Sequence, residues 1–393
     1  MLKAIEDQLG GDLKIQWFFD LVVGTSAGGI IALSLFVRDR PLNECIKNFK
    51  KLCSQAFSSR EFKGVPILGR LAMLNHGSVF KTRPLETILQ SPEILGGKDS
   101  LLFGGPKNIR NRGHARVAVT TTEQTSKQHP AIITNYNRPQ EVRQNHGPSP
   151  VEREKVSDPY GFIREGRPCD EMKIWEAARA TSAAFPYFKP FFKEGTKREF
   201  IDGGLYHNCP VKIAMSEKGL LWDDVRMEDP DILLSIGTGR GQPAQNDSGL
   251  RLPARGIGRR GIFGNTWEYA AGLLENIFDC QTTWSAFLRD STGRRREPGN
   301  REYTSRYIRL NVEIPGVVPK LHMYEKMDEL ESLVRKVGVP NAKEVAHRLI
   351  ASCFYLRLTS ASPSQSCESG PEERILVEGE KVPHAPSPSC PAN

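Results

Sequence analysis

The chain has no apolar run long and unbroken enough to cross a bilayer as a helix. Its most apolar stretch, Trp17 to Val37, is interrupted by Asp20 and by the polar turn Gly24-Thr25-Ser26, whereas a span needs about 20 predominantly apolar residues. The opening MLKAIEDQLGG is too polar for a secretory h-region. Together these absences predict an intracellular chain, not secreted, that meets membranes only peripherally. The eight cysteines (Cys45, Cys53, Cys169, Cys209, Cys280, Cys353, Cys367 and Cys390) include no CxxC pair and no zinc-like spacing to histidine. Reduced thiols are the plain reading, and neither a metal nor a cofactor is implied. There is no internal repeat.

What is present supports a sizeable core. Of 393 residues, 38% are hydrophobic, and adding the glycines brings the figure to about 47%, within the range of globular chains. The 54 Lys and Arg against 46 Asp and Glu leave a net charge of +8, which favours anionic partners without choosing among phospholipid surfaces, nucleic acid and acidic substrates.

Along the chain, residues 3–9 read as a helix ending at Gly10-Gly11, Phe19–Val23 as a buried strand, Ala27–Val37 as a helix on a sheet, and Leu42–Ala56 as an amphipathic helix. Strands are predicted at 115–121 and 131–136, then a surface excursion from Asn137 to Pro168. Helix returns at 170–184, with strands at 199–202, 231–236 and 307–312, and helices at 265–288, 324–336 and 341–355. The alternation predicts a layered α/β domain over 1–358 with a mostly parallel sheet. The Ser-, Pro- and Glu-rich residues 359–393 read as a disordered tail.

The sharpest local feature is Gly24-Thr25-Ser26-Ala27-Gly28-Gly29, directly after an apolar strand and before a helix. That is the setting of a nucleophile elbow, where small neighbours let the backbone turn tightly and lift the Ser26 hydroxyl above the sheet edge. The alternative is a glycine-rich structural or phosphate-binding turn. Ser26 needs a base. Asp202, in Phe200-Ile201-Asp202-Gly203-Gly204, is delivered by an apolar strand onto two glycines. It can act on a hydroxyl if partly desolvated and in contact with it. Asp202 as a turn-forming residue, and His207 as the base of a triad, are the competing readings.

GTSAGG after FFDLVV, ARATSAAFPYF at 178–188, FIDGGLYHNCP at 200–210 and LLSIGTG at 233–239 together resemble the patatin-like phospholipases. The resemblance spans about residues 3–355. It implies a three-layer α/β/α fold and a metal-independent lipid acyl hydrolase working through a Ser–Asp dyad. Ser26 would be the nucleophile within the elbow Gly24, Thr25, Ala27 and Gly28. Asp202 would be the base, followed by Gly203 and Gly204. The implied partner is a phospholipid or other acyl lipid at a membrane surface.

The sequence departs from the family pattern in two places. Members open with a strand and a DGGGxRG loop that supplies oxyanion donors, and no DGGG occurs here. The start at Met1 resembles the middle of the helix that should follow the loop. A truncated gene model or alternative start with an active parent is the leading explanation, and a lipid-associating protein without catalysis is the alternative. Cys209 also stands where members carry Asn.

Three further features have bland readings beside functional ones. Ile236-Gly237-Thr238-Gly239 lacks the Lys of a P-loop and reads as a strand-end turn. Arg240, Arg251, Arg255, Arg259 and Arg260 form a basic stretch open to membrane attraction or plain solvation. Without interleaved aromatics it does not suggest nucleic-acid binding. Ala183, Phe185, Tyr187, Phe188, Phe191 and Phe192 can line an acyl-chain site or pack in the core.

Overall fold

The computed structural model describes residues 1–57, 77–103, 115–125, 128–139, 159–165, 167–241, 280–293, 306–316, 318–319, 321–358 and 377–381. Helix α1 (Leu2–Leu9) is followed by strand β1 (Leu21–Thr25) and helix α2 (Ala27–Ala32), which widens into a π-helical turn over Leu33–Val37. Helices α3 (Leu42–Ala56), α4 (Thr82–Leu89) and α5 (Pro92–Leu95) precede β2 (Arg116–Gln124), β3 (Gln128–Thr134) and β4 (Gly161–Ile163). Next come α6 (Ile174–Thr181), β5 (Phe191–Lys193), β6 (Arg198–Asp202), α7 (Gly204–His207) and α8 (Val211–Leu221). Strands β7 (Leu233–Ile236) and β8 (Arg240–Gly241) lead to α9 (Cys280–Gly293), β9 (Tyr307–Leu310) and β10 (Glu313–Ile314). Helices α10 (Met327–Val337) and α11 (Ala342–Ala351) precede β11 (Phe354–Leu358) and β12 (Val377–Lys381).

The strands carry apolar side chains on both faces, so the sheet is covered on both. Val117 and Val119 of β2 and Ala131 and Ile133 of β3 pack into one core with Ile30, Leu33, Leu52, Leu85 and Ala177. The alternate residues Ala118 and Ile132 face the other way, against Ile213 and Leu221 of α8. This period-2 division between two cores is what makes three layers of a single sheet. Each fully buried Ile, Leu or Val contributes roughly 1.5–3 kcal/mol.

The six-stranded sheet is mixed, which corrects the expectation of mostly parallel pairing. Strands β1–β2 and β3–β4 are parallel, while β2–β3, β2–β6 and β5–β6 are antiparallel. Three residues join β2 to β3, and parallel neighbours need a crossover of a dozen or more. Strands β7 and β9 form a separate parallel pair.

One edge of β2 is shared. β1 covers its first half, Arg116 to Thr120, and β6 covers Thr121 to Glu123. Because β1 runs parallel to β2 and β6 antiparallel, their C-terminal ends meet between Thr120 and Thr121.

Other boundaries also differ from expectation. The helix predicted to run to 355 stops at Ala351, and the aromatic run from Phe354 pairs with β12 instead. Outside 377–381, the predicted disordered tail lies beyond the described residues, as do residues 265–279 of the predicted helix 265–288 and Arg251, Arg255, Arg259 and Arg260 of the basic stretch. The excursion after Asn137 is anchored at both ends. Fully buried Glu217 accepts hydrogen bonds from Tyr136 Oη at 2.8 Å, Tyr160 Oη at 2.6 Å and Arg138 Nη2 at 2.6 Å. Among the described residues no helix is long and apolar enough to cross a membrane.

Candidate active site

Ser26 sits at the junction of β1 and α2 with φ 53° and ψ −123°. A non-glycine residue in the left-handed region costs on the order of 1–3 kcal/mol and persists only where its surroundings hold it. Its amide donates to Thr181 Oγ1 at 2.9 Å, and its carbonyl accepts the Ile30 amide at 3.1 Å.

The glycines around Ser26 are unequal. A Cβ on Gly24 would lie 2.6 Å from the Gly28 carbonyl oxygen, and one on Gly29 would lie 2.8 Å from Thr181 Cγ2. Gly28 is exposed and a Cβ there would meet nothing within 4 Å. The tight turn therefore requires Gly24 and Gly29, while Gly28 borders open space.

Asp202 ends β6 and is held in place from three directions. Its amide donates to the Ala183 carbonyl at 3.1 Å, and its Oδ1 accepts the Gly204 amide at 2.7 Å. A Cβ on Gly203 would lie 2.2 Å from Thr120 Oγ1 and 2.4 Å from the Thr120 carbonyl, so only glycine fits beside β2. Burial raises the Asp202 carboxyl to about 6, against opposing pulls from the Ser26 hydroxyl and the Gly204 amide. The Ser26 pull is that of a hydroxyl near enough to hydrogen-bond the carboxyl, and among the described residues Oδ2 is buried and accepts from no other group.

Threonines weld the junction. Thr25 Oγ1 donates to the His207 carbonyl at 2.6 Å, so the 2.8 Å contact between Thr25 and Thr120 hydroxyls must use the Thr120 proton. Thr121 Oγ1 donates to the Ile201 carbonyl at 2.9 Å. Residues 181–183 consequently hold the backbones of both Ser26 and Asp202. That is a structural reason for the ARATSAA block, whose Thr181 was read only as part of that block, while Thr120 and Thr121 carried no sequence signal.

His207 is not brought to Ser26. Its ring packs edge-on against Tyr160 at 6.3 Å, away from the cavity wall, and burial lowers its pKa. Among the described residues its Nε2 is buried without a partner.

Ser26, Asp202, Gly28 and Gly204 line a cavity of about 2120 Å³. The aromatic segment after it divides by residue. Ala183 and Phe185 border the cavity, Tyr187, Phe188 and Phe191 pack in the core, and Phe192 is exposed. Residues Ile236–Gly239 form a strand-end turn whose Gly239 amide is capped by Asn311 Oδ1 at 2.9 Å. Among the described residues no three His, Cys, Asp or Glu side chains are grouped to hold a metal ion.

Comparison with known proteins places this geometry in a family. The family model described as patatin-like phospholipase matches residues 2–215, more than half of the chain. Phospholipase A I of Arabidopsis thaliana is 30% identical over 264 residues, covering 61% of this chain and 19% of that protein. The cGAMP-activated phospholipase of Vibrio cholerae is 27% identical over 241 residues, covering 60% of this chain and 57% of its own. Human calcium-independent phospholipase A2-gamma is 30% identical over 230 residues, covering 58% and 24% respectively. The alignments thus span from about a fifth to just over half the length of these relatives. The chain belongs to the patatin-like phospholipase family.

Proposed function

We propose that the chain hydrolyses fatty-acyl esters of phospholipids or related acyl lipids at a membrane surface, with Ser26 as nucleophile and Asp202 as its base. The observation that carries this reading is the meeting of β1 and β6 on one edge of β2, which sets Ser26 beside a buried carboxyl at the wall of a large cavity. Ser26 Oγ attacks the acyl carbonyl carbon and its proton passes to Asp202. The tetrahedral adduct collapses to an acyl-enzyme and expels the lysolipid alcohol, which takes that proton. Water, deprotonated by Asp202, then releases the fatty acid and free Ser26. A carboxyl raised to about 6 is a stronger base than an ordinary aspartate and is still ionised at neutral pH.

The oxyanion donors on this reading are the first-turn amides of α2, at Ala27 and Gly28, which have no acceptor within the helix. The open space beside Gly28 suits an entering acyl group. The second reading is a lipid-associating chain of the same family without turnover. A fluorophosphonate probe separates the two. Covalent labelling lost in Ser26→Ala supports the hydrolase, and an unlabelled, folded chain supports the second reading.

A further inference from the structure

The cationic side chains around the Ser26 cavity are mostly neutralised by their neighbours. Lys3 pairs with Glu6 and Asp7, Lys50 with Asp328 and Glu331, and Arg335 with Glu331. Lys218 is spent on the carbonyls of Val225 and Glu228.

Arg309 is different. It stands on β9 opposite Ser235 of β7, half-buried, in the wall of the same cavity. Its Nη1 donates to Ser235 Oγ at 2.6 Å and its Nε to Gln281 Oε1 at 3.3 Å, with Cys209 Sγ 4.0 Å from Nη1. The Trp284 ring lies 6.0 Å from the guanidinium carbon. All of these partners are neutral, and no carboxylate among the described residues forms an ion pair with it. The two acids that precede β7 are engaged elsewhere, Asp229 accepting from Tyr307 Oη at 2.7 Å and Asp231 pairing with Arg306 at 3.9 Å.

A guanidinium held partly out of water by neutral groups gains most from an anion. Ser235 and Gln281 fix its plane and leave the Nη2 protons directed to no protein acceptor among the described residues. A planar, oriented guanidinium suits phosphate oxygens. Cys209 also brings Arg309 against the segment that follows Asp202, and both residues line the same cavity.

We propose that Arg309 is an anion site that takes the phosphate group of an ester bound in this cavity. The identification of that ester as a phospholipid rests on the acyl-hydrolase reading, whereas the anion site does not. The test is binding to the full chain carrying Ser26→Ala, followed by tryptophan fluorescence, with dihexanoyl phosphatidylcholine and dihexanoylglycerol as probes. Arg309→Gln should weaken the phosphatidylcholine about tenfold and leave the diacylglycerol essentially unchanged. Arg309→Lys, which keeps the charge but loses the planar fork, should fall between the parent and Arg309→Gln on the phosphatidylcholine and leave the diacylglycerol unchanged. Equal loss on both probes, or no loss on either, in a folded Arg309→Gln chain overturns the proposal.

Inorganic phosphate supplies a further arm. Displacement of the phosphatidylcholine by it identifies a site for bare phosphate, and retention identifies one that needs the lipid ester. Hydrolysis is measured separately on the chain with Ser26 intact. Selective binding without hydrolysis would remove the enzymatic reading and leave the Arg309 site standing.

Discussion

Ser26 and Asp202 follow from the ends of two strands that run toward each other along the same edge of β2, with Thr25 opposite Thr120 and Asp202 opposite Thr121. Adjacent residues of one strand therefore set the spacing of the two groups. The arrangement depends on β2 approaching both ends without obstruction.

Gly203 tests that approach. Gly203→Ala places a methyl 2.4 Å from a backbone carbonyl of β2, which cannot rotate away. We expect a loss of about 1–3 kcal/mol in denaturant melts, together with loss of activity. Gly28→Ala, with nothing within 4 Å, should stay within about 0.5 kcal/mol of the parent. Equal stability of the two variants would contradict the close approach.

Thr181 tests the elbow. Thr181→Val keeps the shape but removes the acceptor of the Ser26 amide. The unpaired amide should cost about 1–3 kcal/mol, and kcat should fall with KM little changed. An unaltered kcat would show that Ser26 is held by other means.

Asp202 links activity and stability to pH with opposite signs. Its carboxyl goes from an ordinary 3.8 to about 6 on folding, so the folded chain holds the proton more tightly. The stabilising contribution is fully present below 3.8 and is lost as pH rises through about 6. Activity needs the ionised form and should rise with a one-proton dependence through that same upper value. Asp202→Asn should be inactive, should match the parent's stability near pH 4, and should exceed it above pH 6 by on the order of 2–3 kcal/mol. Urea midpoints of both chains between pH 4 and 8 check this.

Glu217 tests the anchoring of the segment after Asn137. Glu217→Ala leaves Arg138 buried without its carboxylate and should cost about 3–5 kcal/mol. A loss below about 1 kcal/mol in chemical denaturation would contradict the buried ion pair.

Legibility in the sequence followed locality. The elbow could be read because a strand, a turn and a helix are contiguous in FDLVVGTSAGG, and Asp202 because strand, carboxylate and two glycines are contiguous in FIDGG. The order of strands and helices was also visible as local periodicity. Antiparallel pairing of β2 was not, since it is decided by a three-residue connection flanked by apolar runs that look alike in either direction. The roles of Thr120, Thr121 and Thr181 were hidden for another reason. Their hydroxyls satisfy groups far away in sequence, and a strand threonine carries no mark of its distant partner. Arg309 was equally silent, because the neutrality of its partners exists only after β7, β9 and α9 have packed.

The most direct test of the Ser26–Asp202 reading is fatty-acid release from mixed phospholipid vesicles, in the presence of chelator, by the 393-residue chain beside its Ser26→Ala variant. The reading predicts release by the parent and none above background by the variant. Equal release by the two chains would contradict Ser26 as nucleophile, and no release by a folded parent would contradict the hydrolase itself.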